Sequence, residues 1–288
     1  MRFNKPITEI IPQRYSCRIY NNQPIEAETR QQLHALLSTL DHGPLGAPTR
    51  FEMVAATEQD RQSLRGLGTY GFIRGATGFI VGAINGSNTS LEDFGYRMEQ
   101  ILLAATDLGL GTCWLGGSFT KSTFAGKIRA TGNETVPAVA SIGYAAEGSR
   151  SEDWIRQRAK GDSRLPWEAL FFHEHFNRTL APEAAGAYAT PLEMLRLGPS
   201  ASNKQPWRVV RDASAWHFYL QRTRRYGKGS AIFTLLKLAD LQRVDMGIAM
   251  CHFELTANEL GLPGRWVVAE PDLDKPGEHT EYIVSWVS

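Results

Sequence analysis

Residues 93–114 read DFGYRMEQILLAATDLGLGTCW, and residues 245–266 read DMGIAMCHFELTANELGLPGRW. The two segments align without a gap and share nine of 22 columns, where about one or two would match by chance at ordinary residue frequencies. Their offset is 152 residues, about half of the 288-residue chain. A repeat of this size implies two related halves, so each later motif has to be read in both copies. Apolar residues recur at helical spacing in each segment, and each run stops at a glycine, Gly109 or Gly261. Glycine enters the left-handed conformation after a helix without a Cβ penalty, so equivalent helices ending there are predicted. Ser90-Leu91-Glu92-Asp93 has the pattern of a capping box at the start of the first helix. Trp114 and Trp266 follow in an extended or buried segment.

Outward from these helices the order of elements also repeats. Gly43-Pro44 and Gly198-Pro199 lie 155 residues apart, each followed by a strand-like run, FEMVAA at 51–56 and WRVV at 207–210. Periodicity predicts a helix over 26–40 on Leu33, Leu36, Leu37 and Leu40, with further strands near 77–84, 136–143, 207–211, 215–221 and 281–287. The fold class is α+β, with a sheet in each half. Between the halves, residues 150–190 carry Pro166, Pro182 and the aromatic run Trp167, Phe171, Phe172 and Phe176. A free linker would be polar and rich in Gly and Ser, so this joint is expected to pack against both halves.

Composition narrows the function classes. Hydrophobic residues make up 42% of the chain and charged residues 21%, enough for a sizeable core. Lys and Arg number 31 against 30 Asp and Glu; a net charge of +1 offers no general field for nucleic acid or an acidic membrane, and neither is an expected partner. Cys17, Cys113 and Cys251 are far apart and form no CxxC, which argues against a disulfide framework or zinc site and for a reducing compartment. The opening MRFNKPITEIIPQRYS has no apolar core of a signal peptide, and no run is apolar enough to span a membrane; the reading places the protein in the cytoplasm. His173, His175 and His252 fall in no HExxH pattern, so no metal site is expected.

Four stretches can carry chemistry. Arg14-Tyr15-Ser16-Cys17-Arg18 puts two cations and a hydroxyl at alternate positions, either a small anion site or a solvated basic edge. Gly198-Pro-Ser-Ala-Ser-Asn-Lys-Gln-Pro-Trp207 is a rigid loop whose Ser and Asn groups suit the edge of a heteroaromatic ring, or else a surface turn. Leu108-Gly-Leu-Gly-Thr-Cys-Trp-Leu-Gly-Gly117 lets main-chain N–H groups approach a ligand. It ends a helix where a dinucleotide fingerprint would begin one, which excludes a Rossmann reading. Lys160-Gly-Asp-Ser-Arg-Leu-Pro166 adds cations beside a turn.

Together and in this order, RxSxR, LGLGTCWLGG, VPAVASIGYAAE and KxxxRLP resemble the nitroreductase superfamily of FMN flavoproteins, and GPSASNKQPW is a further element of that family. The chain is most similar to its internally duplicated, single-chain branch. The resemblance implies a nitroreductase-like fold of two pseudo-symmetric α+β halves, 1–165 and 166–288, each with a mixed or antiparallel sheet flanked by helices and together mimicking the family homodimer. The first half retains RYSCR, LGLGTCWLGG and KGDSRLP but reads GPLGAPTRF at the loop; the second retains GPSASNKQPW but reads GLPGRWVVAE at the glycines. The losses are complementary, so one composite FMN site per chain is expected.

By that resemblance Arg14, Ser16, Lys160 and Arg164 would hold the 5′-phosphate, and Arg18 would lie near N1 and the C2 carbonyl. Pro199, Ser200, Ser202 and Asn203 would contact the ring edge and ribityl chain, and Gly116, between Leu115 and Gly117, would point its N–H at N5 or O4. Tyr70 and Arg74 are candidates for the remaining ring-edge contact. The implied activity is ping-pong hydride transfer from NAD(P)H through FMN to a nitroaromatic, quinone or similar small-molecule acceptor, with no catalytic side chain. Alternatives are a flavin-binding or storage protein without turnover and an oxygen-dependent flavin-fragmenting enzyme. A monomeric pseudo-dimer or a weak homodimer is expected.

Overall fold

The structure, a computed structural model, describes residues 3–54, 67, 69, 71–86, 89–117, 119–213, 215–226 and 238–288. The first half contains α1 (Ile7–Gln13), α2 (Ala27–Leu37), β1 (Thr49–Val54), β2 (Gly78–Asn85), the long α3 (Ser90–Asp107), β3 (Gly111–Leu115), α4 (Lys121–Lys127), β4 (Glu134–Thr135) and β5 (Val139–Gly143). After α5 (Trp154–Arg158) come β6 (Phe171–His173), β7 (His175–Thr179), α6 (Pro182–Ala185), α7 (Ala189–Arg196), β8 (Trp207–Arg211), β9 (Ala215–Gln221), the long α8 (Leu241–Glu259), β10 (Arg265–Val267) and β11 (Thr280–Val287). Positions 55 and 56 of the first predicted strand lie outside the described residues.

Each half has its own sheet. The first runs β1-β2-β5-β3 with β4 against β2, all antiparallel. The second runs β10-β11-β9-β8-β6-β7 and is antiparallel except where β6 lies parallel to β8. The almost unbroken apolar run of β2, GFIVGAIN, reflects a strand covered on both faces. Ile80 and Ile84 join the core shared with α2 and α3, while Phe79 and Val81 join the core under α4.

The repeated segments form the centre of the molecule. Helices α3 and α8 pack against each other more extensively than any other pair of helices, and two glycines allow it. A Cβ on Gly95 would stand 2.1 Å from the Val244 carbonyl oxygen, and one on Gly247 would stand 2.0 Å from that of Glu92. Gly95 and Gly247 are separated by the repeat offset, as are Glu92 and Val244. The contact is therefore reciprocal: each helix sets its glycine against the same turn of the other, as a two-fold interface requires. Beyond the helices, Gly109 and Gly261 adopt φ of +83° and +68°, the left-handed cap their sequence predicts.

Other expectations are corrected. Ser90 is the first residue of α3 and Thr89 its cap, whose side chain makes no capping bond. The acidic side chains of the supposed capping box have partners elsewhere: Glu92 accepts from Arg243 Nε at 2.5 Å, and Asp93 accepts from the Leu45 and Ala47 N–H groups. The 150–190 joint packs against both halves, as its aromatic content predicts: Phe171 is buried in the core of the second sheet with Tyr96 and Leu103 of α3, Phe176 lies against Tyr219, and Asp153 pairs with Arg18. Ile7, Ile10 and Ile11 of α1 pack into that same second core, so the first half contributes an arm to it.

Burial raises the Glu92 carboxyl to about 7, with Arg243 opposing the rise. A folded-state value above the unfolded one favours the protonated form, so this contribution to stability is complete at acid pH and is lost as pH climbs from about 4.5 through about 7. Glu92→Gln should therefore change stability little at pH 4.5 and increase it relative to the parent by about 3 kcal/mol at pH 8. Urea unfolding at the two pH values measures the difference, and equal effects at both would disprove the placement of this charge.

Candidate functional site

Two adjoining hollows lie between the halves. The larger is a chamber of about 480 Å³ whose walls include Trp114, Gly116 and Gly117 from the first half and Leu241, Val244 and Asp245 from α8. The smaller, about 90 Å³, is lined by Arg14, Arg18, Arg156 and Arg164 and by Asn203. Ser16, Arg18, Pro199, Ser200 and Ser202 line both and mark the neck, the place where the two adjoin. The chamber is within the size range of small-molecule sites, about 300–1,000 Å³.

Backbone pairing brings the N-terminal motif to this place. A parallel bridge joins Ser16 to Thr112, and Cys17 N–H donates to the Thr112 carbonyl at 2.8 Å, so RYSCR lies along β3 beside the glycines. The opposite wall is the 198–205 loop, in which Ser202, Asn203 and Gln205 take positive φ of 51°, 53° and 49°. Non-glycine residues in that region are strained, and consecutive ones persist where surrounding bonds hold them. Here Ser200 Oγ accepts from Gln205 N–H at 2.8 Å, and Asn203 Nδ2 donates to the carbonyls of Lys160 and Ser163. Gly116 closes the chamber against α8, because a Cβ there would meet Leu241 Cδ1 at 2.5 Å.

The small lobe is built for an anion. Arg18 pairs with Asp153 at 2.7 Å, Arg156 pairs with Asp162, and Arg14 Nε lies 3.3 Å from Glu99. Arg164 donates to the Gly161, Ser163 and Leu197 carbonyls. Burial, followed by repulsion from Arg14 and Arg156, lowers the Arg164 guanidinium to about 10. Arg14 Nη1 and Arg164 Nε are buried and have no hydrogen-bond partner among the described residues. Unmet buried donors on converging cations fit a phosphate, whose oxygens could accept from both and offset the repulsion.

Behind the lobe lies a buried charge network. Glu99 on α3 accepts from Trp114 Nε1 at 2.6 Å and lies 3.0 Å from His252 Nε2 on α8, with Arg14 on its other side. Burial works against the Glu99 charge, but Arg14, His252 and Trp114 outweigh it and hold the carboxyl below its usual range.

Of the residues expected at the site, Arg14, Ser16, Arg18, Gly116, Gly117, Arg164, Pro199, Ser200, Ser202 and Asn203 line one or both hollows. Asn203 faces the cationic lobe, and its amide nitrogen is bonded to main-chain carbonyls. Leu115 does not line the site: its side chain points into the core of the first sheet. Lys160 is exposed at φ +50° and contributes its carbonyl to Asn203, not its charge to the lobe. Tyr70 lies outside the described residues. Arg74 bonds through its backbone to Arg18 and Tyr20, and with Arg18 and Trp154 it lines a separate hollow of about 410 Å³. Sequence reasoning missed Arg156, Asp245 and Tyr226. The five-residue α5 is too short for a periodic signal, although Asp153, whose side chain caps it, was a legible N-cap residue.

Two sheets joined by two crossed helices, with a small cationic lobe beside a largely apolar chamber, are an arrangement that the nitroreductase fold class accommodates. The chain belongs to the family described as "Putative TM nitroreductase", which matches residues 6–257. Among solved structures, a protein described as a "putative nitroreductase" from Thermotoga maritima aligns over 100% of this chain and 95% of its own at 19% identity, with a TM-score of 0.60, and so shares the fold. A nitroreductase family protein from Clostridium difficile 630 covers 58% of this chain and 94% of its own at 18% identity and a TM-score of 0.41. A protein described as an oxidoreductase containing FMN covers 57% and 90% at 18% identity and a TM-score of 0.45. No curated protein matches the sequence. Among the described residues, no helix is long and apolar enough to cross a membrane.

Proposed function

We propose that this protein is an FMN-dependent oxidoreductase that takes one FMN per chain into the seam and passes reducing equivalents from NAD(P)H to a nitroaromatic, quinone or similar acceptor. The observation that carries the reading is that two adjoining hollows share five lining residues: arginines with unmet guanidinium N–H groups line one, three serines are among the shared residues, and the other is a largely apolar chamber walled by both halves. Bound there, FMN would supply hydride acceptance and donation, a chemistry the side chains do not provide. Arg14, Arg156 and Arg164 would hold the phosphate, with Arg156 in the role the sequence suggested for Lys160. Ser16, Ser200 and Ser202 would meet the ribityl chain, and the main chain at Gly116 and Gly117 would lie against the ring. Arg18 lines both hollows, so its charge, held by Asp153, would favour negative charge developing on the reduced ring. The reading keeps the division at 165/166, with the phosphate and ring motifs before it and the loop after it.

The purified protein should be yellow, retain FMN at one equivalent per chain, and oxidise NADH or NADPH when given a nitroaromatic or quinone. Tight FMN with no turnover would favour flavin storage, and failure to bind FMN at all would remove the proposal. Arg14→Ala should weaken FMN by about 10- to 150-fold, the worth of about 1.5–3 kcal/mol for a bond to a charged group, and leave riboflavin affinity unchanged. Equal losses for both ligands would place Arg14 away from the phosphate.

A further inference from the structure

Asp245 occupies in α8 the position that Asp93 occupies in α3, one repeat offset away. Asp93 uses both carboxylate oxygens on its neighbouring loop: Oδ1 accepts from Leu45 N–H at 2.8 Å and Oδ2 from Ala47 N–H at 2.7 Å. Asp245 holds the matching loop of the second half by one bond, with Oδ1 accepting from Ala201 N–H at 3.0 Å. Its Oδ2 is buried and has no hydrogen-bond partner among the described residues. The residue is only 2% exposed, yet it lines the chamber. Two copies of one loop-clamping device thus differ in one oxygen, and the oxygen left over belongs to the copy beside the hollow.

We propose that Asp245 is a ligand-contacting residue whose carboxyl donates a hydrogen bond from Oδ2–H to a hydroxyl oxygen of the polyol chain joining the phosphate and ring of bound FMN. The inference rests on the FMN reading above. Ala201, which Asp245 holds, sits between Ser200 and Ser202, and both serines line lobe and chamber alike. The carboxyl therefore backs the neck, through which the linker of any ligand with its phosphate in the lobe and its ring in the chamber must pass. A polyol there presents oxygens that accept a proton donor without requiring a buried negative charge.

The surroundings favour the neutral form. Burial is the dominant influence and pushes the Asp245 carboxyl well above the usual range; the Ala201 N–H opposes it, and the charge of Asp240 at the start of α8 adds to it. Tyr226 faces it from the segment before α8, Arg18 and Arg225 line the same chamber from other walls, and Glu92 of α3 is engaged with Arg243.

The test compares Asp245→Asn and Asp245→Leu with the parent, using FMN, riboflavin and lumichrome, which has the ring without the chain, as probes in fluorescence titrations across pH. An amide keeps an acceptor for Ala201 N–H and puts an N–H donor in place of the acid proton. Asp245→Asn should therefore bind FMN and riboflavin within about threefold of the parent, with a flat pH profile where the parent weakens as pH rises and the carboxyl loses its proton. Asp245→Leu should lose about tenfold or more for FMN and riboflavin but not for lumichrome. At pH 8, where Glu92 has largely lost its proton, the parent-minus-Asp245→Asn infrared difference spectrum should show a protonated-carboxyl band. If the parent binds FMN and both variants bind it equally well, or if Asp245→Asn is as impaired as Asp245→Leu, the Asp245 inference fails while the FMN reading stands. A parent that binds no FMN removes both.

Discussion

Gly247→Ala is expected to destabilise the protein by about 4 kcal/mol or more, although it adds a single methyl group. That methyl would lie 2.0 Å from the Glu92 carbonyl oxygen and 2.6 Å from the Tyr96 nitrogen. Both are backbone atoms of a helix and cannot rotate aside, so α3 and α8 would have to separate and give up packing along their length. Gly95→Ala should behave alike, because its methyl would meet Val244 backbone at 2.1 Å. Gly126→Ala in α4 is the control: a Cβ there meets nothing within 4 Å, and the exchange should stabilise by up to about 1 kcal/mol through helix propensity. Denaturant unfolding of the three variants compares them. A loss of under about 1 kcal/mol at Gly247 would mean that the two helices do not cross as closely as described.

Glu99→Gln is expected to cost about 3–5 kcal/mol, the range for removing one partner of a buried charge pair. The amide preserves shape and an acceptor for Trp114, so the loss isolates the charge that Arg14 and His252 face from two different halves. Because the Glu99 carboxyl is held below its ordinary value, its contribution is present above about pH 4.5 and falls away as pH drops through the depressed value. The parent should therefore lose stability towards acid more steeply than Glu99→Gln, and the two curves should converge at low pH. Parallel curves would show that Glu99 does not carry this charge in the fold. Because Arg14 reaches from this network into the anion lobe, the variant should also release FMN faster under the proposed function.

Much of this was legible because periodicity is a local property. A run of helical spacing that ends in both copies at the same Leu-Gly-Leu leaves little choice of element, and both long helices and the β8 and β9 strands fall where their patterns place them. Small pieces were not legible. Helix α1 has seven residues and contains Pro12, and β6 and β7 span three and five residues inside a stretch dense in charges and aromatics. Their conformations depend on what covers them, since Ile7 and Phe171 are buried by residues far away in the chain.

Residue types and their order determined, without any coordinates, that two α+β halves are present and that the cations and the Ser-rich loop are divided between them. Only the tertiary structure decided which groups meet. It turned Lys160 outward and brought Arg156 into the lobe, paired Glu99 with His252 across 153 positions, and left one oxygen of Asp245 without a partner beside the neck. Side-chain chemistry is written in the sequence, but convergence depends on helix crossing and loop closure, and those follow from contacts between residues that no local pattern connects.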